Sequence, residues 1–421
     1  SMTGGTFRVT ARAGANEVTF SGGNSTNVTL DLSAAPTARI AFTGGTHHFM
    51  YLTGSNTRTY RQTGGVVYAG PVSGHYSAAS QSDIFYTMTG GKLYSTTYNS
   101  HSRGLGLDMS GDSEAHLRWA GTTWFCHRLA SDGESHTIRL RDNALLDVDW
   151  MHLGSASSAV QTPVFDLQGG TLQVRETLSL LNYSAANYAN YTGSFILNGG
   201  LVRSTAQESW CTWELNDKFT AYVGANGARF DVPRDHWGRS FYFKVPLLTG
   251  VSEGVDGGVE KTGTGWFIVY KVGTYTGPTR VLGGSMRTSD ETQGAAPFGT
   301  GSVVLENGTL LVTRANDQRI ATAPGATVTY RGGSLLGTYA NNVEQLLTLG
   351  PADAEPGSVL VRGGHGVLGI MPRGVTDKAL GVDEKFVVNG GVPLDAQTGL
   401  VAAPVFGYLK ESAFGWWALT F

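Results

Sequence analysis

Gly258-Val259-Glu260-Lys261-Thr262-Gly263-Thr264-Gly265-Trp266-Phe267-Ile268-Val269-Tyr270 is followed by Gly273-Thr274-Tyr275-Thr276-Gly277-Pro278-Thr279-Arg280-Val281 and closes on Gly283-Gly284. The stretch reads as a short apolar strand, a turn from Gly273 to Gly277, a second strand around Arg280 to Leu282, and a glycine corner. Four or five residues per strand are too few to fold alone, so the unit needs neighbours of its own kind to pair with.

Those glycines, the Tyr and the two Thr resemble the autotransporter-associated β-strand repeat, whose pattern is Lys-x-Gly-x-Gly, an apolar strand, then Gly-x-x-Thr-Tyr-x-Gly-x-Thr-x-Val. Phe298-Gly299-Thr300-Gly301-Ser302-Val303-Val304-Leu305 and the following Glu306-Asn307-Gly308-Thr309-Leu310 resemble the next rung. The likeness covers about sixty residues. It implies a right-handed parallel β-helix carried on the surface of, or shed by, a Gram-negative-type bacterium.

Outward from this stretch, glycine pairs recur with a strand-like residue before and an apolar or β-branched residue after. Examples are Thr3-Gly4-Gly5-Thr6, Ser21-Gly22-Gly23, Thr43-Gly44-Gly45, Thr63-Gly64-Gly65 and Thr89-Gly90-Gly91. Later ones are Gly169-Gly170, Gly199-Gly200, Gly332-Gly333, Gly363-Gly364 and Gly390-Gly391. From Gly4 to Gly22, Gly44, Gly64 and Gly90 the steps are 18, 22, 20 and 26 residues. A strand, a corner, a strand and a corner make one coil of a solenoid, with glycine at the corner because it adopts positive φ freely. At roughly 21 residues per coil the chain is expected to make about 20 coils and a rod on the order of 95 Å, taking about 4.8 Å per coil. An antiparallel sandwich or propeller with glycine-rich hairpins is the rival reading. The one helix-like stretch is a turn at Asn342 to Leu347.

Composition supports a folded β protein. Glycine contributes 59 of 421 residues, and charged residues only 15% against a usual quarter. With 41% hydrophobic residues there is ample core, and no apolar run is long enough to span a bilayer as a helix. A net charge of −3 without a Lys/Arg run argues against nucleic acid or an anionic membrane as partner. Ser1-Met2 reads as a cloning remnant, which predicts a piece of a longer exported precursor. A monomer is expected.

The repeat reads as a β-helix over residues 1–365, interrupted near 101–163 and 205–246, with a capping segment over 366–421 that contains Trp416 and Trp417. Loops inserted in solenoids often carry function. The first interruption holds five histidines, including His116, with no zinc-site spacing, so neither metal nor cofactor is expected. Scattered histidines on strands are ordinarily surface or satisfied residues. Its sharpest feature is Asp147 with Asp149: at i and i+2 on a strand they share a face, within about 7 Å, as acid/base hydrolysis of a glycosidic bond requires. That enzyme reading expects both exposed on the floor of a cleft, with Arg139 or Arg141 nearby. The second interruption interleaves Trp210, Trp213 and Trp237 with Arg234, Asp235, His236 and Arg239, a combination suited to stacking on and hydrogen bonding to sugars. Cys126 and Cys211, 85 residues or about four coils apart, are expected to be unpaired thiols.

These readings favour an adhesin-like scaffold, extracellular or on the outer-membrane surface, that binds a polysaccharide or host glycan. The alternative is a polysaccharide lyase or glycoside hydrolase on the same fold, since fold does not fix function.

Overall fold

The computed structural model describes residues 2–3, 6–8, 17–31, 39–51, 58–69, 76–77, 80–81, 84–95, 105–117, 123–125, 137–153, 164–180, 192–205, 210–214, 219–233, 240–289, 292, 296–306, 308–314, 317–338, 345–372, 384–392, 397, 408–411 and 417–420. Among them there is no helix, and the strands pair almost entirely in parallel. The chain forms two compact units, Ser1–Gln207 with Cys211–Phe219, and Glu208–Trp210 with Thr220–Phe421.

In the first unit one ladder runs through Glu17–Phe20, Arg39–Phe42, Arg58–Gln62, Ile84–Met88 and Leu105–Met109. A second runs through Thr46–Tyr51, Val66–Ala69, Lys92–Ser95 and Glu114–Leu117. The long strands Thr137–Leu153 and Val164–Leu180 extend both ladders. Phe20 lies opposite Phe42, one glycine-pair period away, as a parallel solenoid requires. The antiparallel sandwich is thereby excluded, because consecutive coils run the same way.

Strand alternation decides what faces inward. Val67, Leu93, Ala115, Leu146 and Leu172 occupy one buried row. Stacking of like rings follows from the coil spacing: Phe20 on Phe42 at 5.4 Å between centroids and Tyr60 on Tyr86 at 5.6 Å. Tyr86 donates its hydroxyl to Gln62 Oε1 at 3.0 Å, so the buried phenol is satisfied.

At the corners Gly23, Gly45, Gly65 and Gly91, each second in its pair, have positive φ, 81° at Gly45, where a Cβ would lie 2.4 Å from the Gly23 carbonyl oxygen of the previous coil. The corner between Leu140 and Leu145 lacks glycine. Asp142 takes φ 54° instead, opposite Gly169, a conformation that Asp and Asn tolerate better than other side chains. Its carboxylate accepts the Gly111 amide at 2.9 Å, while Asn143 Nδ2 donates to Asp112 Oδ1 at 3.0 Å.

Strands lie within the stretch 101–163 read as an interruption, among its described residues. Leu105–Met109, Glu114–Leu117, Thr123–Phe125 and Thr137–Leu153 are strands of the continuing ladder. The stretch 205–246 likewise contains the strands Trp210–Glu214, Phe219–Val223, Ala228–Asp231 and Ser240–Phe243. Coil length also differs from expectation. Register partners are 20 residues apart at Arg39 and Thr59 but 32 at Val328 and Leu360, by subtraction. Among the described residues the coils are therefore unequal in length, some much longer than 21 residues.

In the second unit, Val259–Thr262, Thr279–Val281, Val303–Leu305 and Val328–Thr338 form one ladder, and Trp266–Val269, Ser285–Thr288 and Leu310–Thr313 another. Gln318–Ile320, Gln345–Leu349 and Glu384–Val388 form a third. Residues 345–349 are thus strand rather than the helical turn expected at Asn342 to Leu347. The tail adds an antiparallel pair, Tyr408–Glu411 with Trp417–Thr420, joined to the parallel ladder at Ile370 and Tyr408.

The residues of the repeat motif hold these coils to one another. Lys261, fully buried, donates its ammonium to the carbonyls of Gly263 at 2.6 Å and Gly283, one coil on, at 2.8 Å. The Asp256 carboxylate accepts the amides of Gly258, Thr276 and Gly277 at 2.8–2.9 Å. Tyr275 shares a 2.6 Å hydrogen bond with Thr279, whose hydroxyl also reaches the Phe298 carbonyl at 2.8 Å. Burial holds the Tyr275 phenol well above its usual range, so it stays neutral.

Candidate functional site

The strongest concentration of paired titratable side chains stands on the second ladder of the first unit, on its outward row. The row runs His48, Tyr68, Tyr94, His116, Asp147, Gln173 and Arg203, each opposite the next across neighbouring coils. Its first four rings stack continuously, with centroids 4.4, 5.1 and 4.8 Å apart and planes within 15°. Because each ring covers the face of the next, Tyr68 and Tyr94 present edges to solvent. A sugar ring needs an open aromatic face, so this row is a stacking ladder rather than a saccharide platform.

Beyond the aromatics the row becomes charged. His116 places Nδ1 3.1 Å from Asp147 Oδ2 and Nε2 3.1 Å from Glu114 Oε2. Glu114 also pairs with Lys92 at 2.9 Å. The other oxygen of Asp147 accepts Gln173 Nε2 at 3.0 Å and lies 3.5 Å from Arg175 Nε. Asp147 is 1% exposed. The hydrogen bond to Asp147 raises the pKa of His116 above the ordinary imidazole value, against burial, which lowers it; Glu114 adds to the rise. Glu114 is held below the usual carboxylate range, chiefly by its bond to Lys92, and Lys92 is raised in turn by Glu114.

A second charged row stands on the first ladder, where Asp108, Arg139 and Asp166 are opposite one another in consecutive coils. Arg139 Nε donates to Asp166 Oδ2 at 2.8 Å, Gln168 Nε2 to the same oxygen at 3.0 Å, and Arg141 to Asp108 at 2.6 Å. Alternating signs in register give each charge an opposite neighbour about 4.8 Å away along the row.

This geometry bears on each residue singled out from the sequence. Asp147 is buried with both oxygens engaged by neighbouring side chains, rather than exposed on a cleft floor. Arg139 and Arg141 belong to the other row, paired with Asp166 and Asp108. Asp149 lies in the same strand as Asp147, where the ladder shifts register between Val148 and Trp150, which breaks the simple i, i+2 relation. Its side chain lies outside the described residues.

Trp210 and Trp213 belong to the strand Trp210–Glu214, with Trp213 opposite Leu178, and their side chains also lie outside the described residues. Arg234, Asp235, His236, Trp237 and Arg239 lie outside them altogether, between Pro233 and Ser240. So do Cys126, the Cys211 side chain and Trp416. Among the described residues no His, Cys, Asp and Glu side chains gather as around a metal ion, and no helix is long and apolar enough to cross a membrane.

Sequence reasoning passed over Tyr68, Tyr94, Gln173 and Arg203. The signal was a fixed offset: each stands four residues past the first glycine of its pair, as His48 does past Gly44. Compared with protein-family models, curated proteins and solved structures, the chain matches none.

Proposed function

We propose that this chain is a β-solenoid scaffold of a bacterial surface or secreted protein, adhesin-like, that binds a polysaccharide or host glycan through the segment holding Arg234, Asp235, His236, Trp237 and Arg239, flanked by Trp210 and Trp213. One observation carries the scaffold reading: the motif residues Lys261 and Thr279, with Asp256 just before the motif, bind across to a neighbouring coil, and Tyr275 is tied to Thr279. None is left over for chemistry. The location rests on the resemblance of that motif to the autotransporter-associated repeat. The glycan rests on residue types, since tryptophan faces beside Arg and carboxylates suit sugar C–H faces and hydroxyls.

The test is an array of neutral and acidic glycans probed with the purified chain. Trp237→Ala together with Arg239→Ala is expected to abolish the signal while the circular dichroism of the β structure stays unchanged. A wild-type chain that binds nothing on the array, or a double variant that binds undiminished, overturns the glycan assignment. Protease treatment of intact producing cells tests the location separately: loss of the chain supports surface display, and full protection refutes it.

A further inference from the structure

We propose that His116 is a pH-responsive clasp between coils, an imidazolium that ties the strand Glu114–Leu117 to the strand Thr137–Leu153 and loosens when it loses a proton. The argument begins with proton count. A neutral imidazole has one N–H and one lone pair, yet both ring nitrogens of His116 lie 3.1 Å from carboxylate oxygens. A lone pair facing a carboxylate at that distance would be repulsive, so the arrangement requires a proton on each nitrogen.

The surroundings fix the ring in place for this role. Tyr94, from the preceding coil, stacks on its face at 4.8 Å and 7°. Lys92 from the same coil occupies Glu114, which comes from the strand of His116 itself. Asp147 comes from the next coil, and Gln173 and Arg175, one coil further, hold the oxygen of Asp147 that His116 does not use. The charged groups around the ring are therefore Lys92, Glu114, Asp147 and Arg175. The two carboxylates touch it directly, and each cation is bound through a carboxylate.

Loss of the proton has an ordered outcome. Asp147 is buried and needs its donor, whereas Glu114 keeps Lys92 as a partner. The remaining N–H stays on Nδ1 toward Asp147, and the bond to Glu114 breaks. The cross-coil contact changes from an ion pair to a hydrogen bond between a neutral imidazole and the Asp147 carboxylate, and the attraction of the imidazolium charge is lost. The sign follows from the raised pKa of the folded-state imidazole. Its stabilisation is complete below the unfolded value, about 6.5, and is lost as pH rises through the folded value.

Site-resolved NMR of the full chain labelled with 13C,15N-histidine tests this, with His116→Gln used to assign the resonance. His116 is expected to titrate above about 6.5 with both ring nitrogens protonated on the acid side. Asp147→Asn should lower the midpoint more than Glu114→Gln does. The urea midpoint of the wild type should fall as pH rises through the His116 titration, and that step should vanish in His116→Gln. Should His116→Gln fail to fold, the resonance is assigned by its displacement in Glu114→Gln, and its midpoint decides alone. Titration at or below the free-histidine value overturns the proposal, as does an identical pH profile in wild type and His116→Gln.

Discussion

Two regions of the molecule fasten neighbouring coils by opposite means. Around Lys261 and Asp256 in the second unit, charged side chains turn inward and bind backbone carbonyls and amides of the next coil. Around Asp147 and Asp166 in the first, charged side chains stand on the outward rows and bind one another. Inward contacts are shielded from salt and answer to no solvent proton as long as the coil stays closed. Outward contacts, where at least one partner meets water, are screened by salt and respond to pH. The ladder geometry is common to both, so what differs is the environment that each coil's chemistry depends on.

The largest expected effect lies on the inward side. Lys261→Met keeps most of the volume but leaves the buried carbonyls of Gly263 and Gly283 without their donor. Loss of hydrogen bonds from a buried charged group is expected to cost on the order of 3–5 kcal/mol. Urea unfolding should show the transition of the second unit at a much lower midpoint, unaffected by 0.5 M NaCl. A drop smaller than about 1 kcal/mol, the scale of a single neutral hydrogen bond, would mean that the corner does not depend on the ammonium.

An intermediate effect is expected from Asp166, buried yet on an outward row. Asp166→Asn turns an ion pair with Arg139 into at best a neutral hydrogen bond, at a cost of about 1–3 kcal/mol. Because Arg139 is itself 37% exposed, the loss should shrink partly in high salt. A loss equal to that of Lys261→Met and insensitive to salt would erase the contrast between inward and outward fastening.

How far such contrasts can be seen without coordinates depends on how local their signal is. The glycine corners and the motif from Gly258 to Gly284 are local: positive φ and close approach select glycine, and the period between pairs already placed Phe20 opposite Phe42. Where Asp142 and Asn143 do the work of glycine, the same corner was read as an interruption. The charged rows are not local. His116 and Asp147 are 31 residues apart and His116 and Tyr94 only 22, by subtraction, and neither His116 nor Asp147 follows a glycine pair, so the offset that marks Tyr68 and Tyr94 does not reach them. Asp147 and Asp149 looked like a pair because alternation is local, whereas the register shift beside Asp149 is set by the neighbouring coil. The direction of Asp147 into a cross-coil network could be known only once the register was known.

The smallest expected effect sharpens the comparison most, because it separates charge from stability. Lys92 is nearly half exposed and pairs with Glu114 at the same oxygen that faces His116, a solvent-screened contact, so Lys92→Ala should leave the urea midpoint of the first unit unchanged within error. Its electrostatic consequence should still be plain. The bond from Lys92 is the main reason the Glu114 carboxyl is held low, with His116 second. Removing it should move the Glu114 titration, followed by the 13C shift of its carboxyl carbon, upward toward the usual value near 4.3 without reaching it. The sign follows from that lowered pKa: the stability Glu114 contributes is present above about pH 4.3 and lost as pH falls through the folded value, and Lys92→Ala should narrow this acid-side window. His116 works in the other direction, its contribution being lost as pH rises. The outward network should therefore be tightest between the two titrations, and Lys92→Ala should move only the acid edge. A shift of the alkaline edge as well would show that Lys92 acts on His116 through Glu114, and the outward row would then titrate as one coupled unit instead of as two separate contacts.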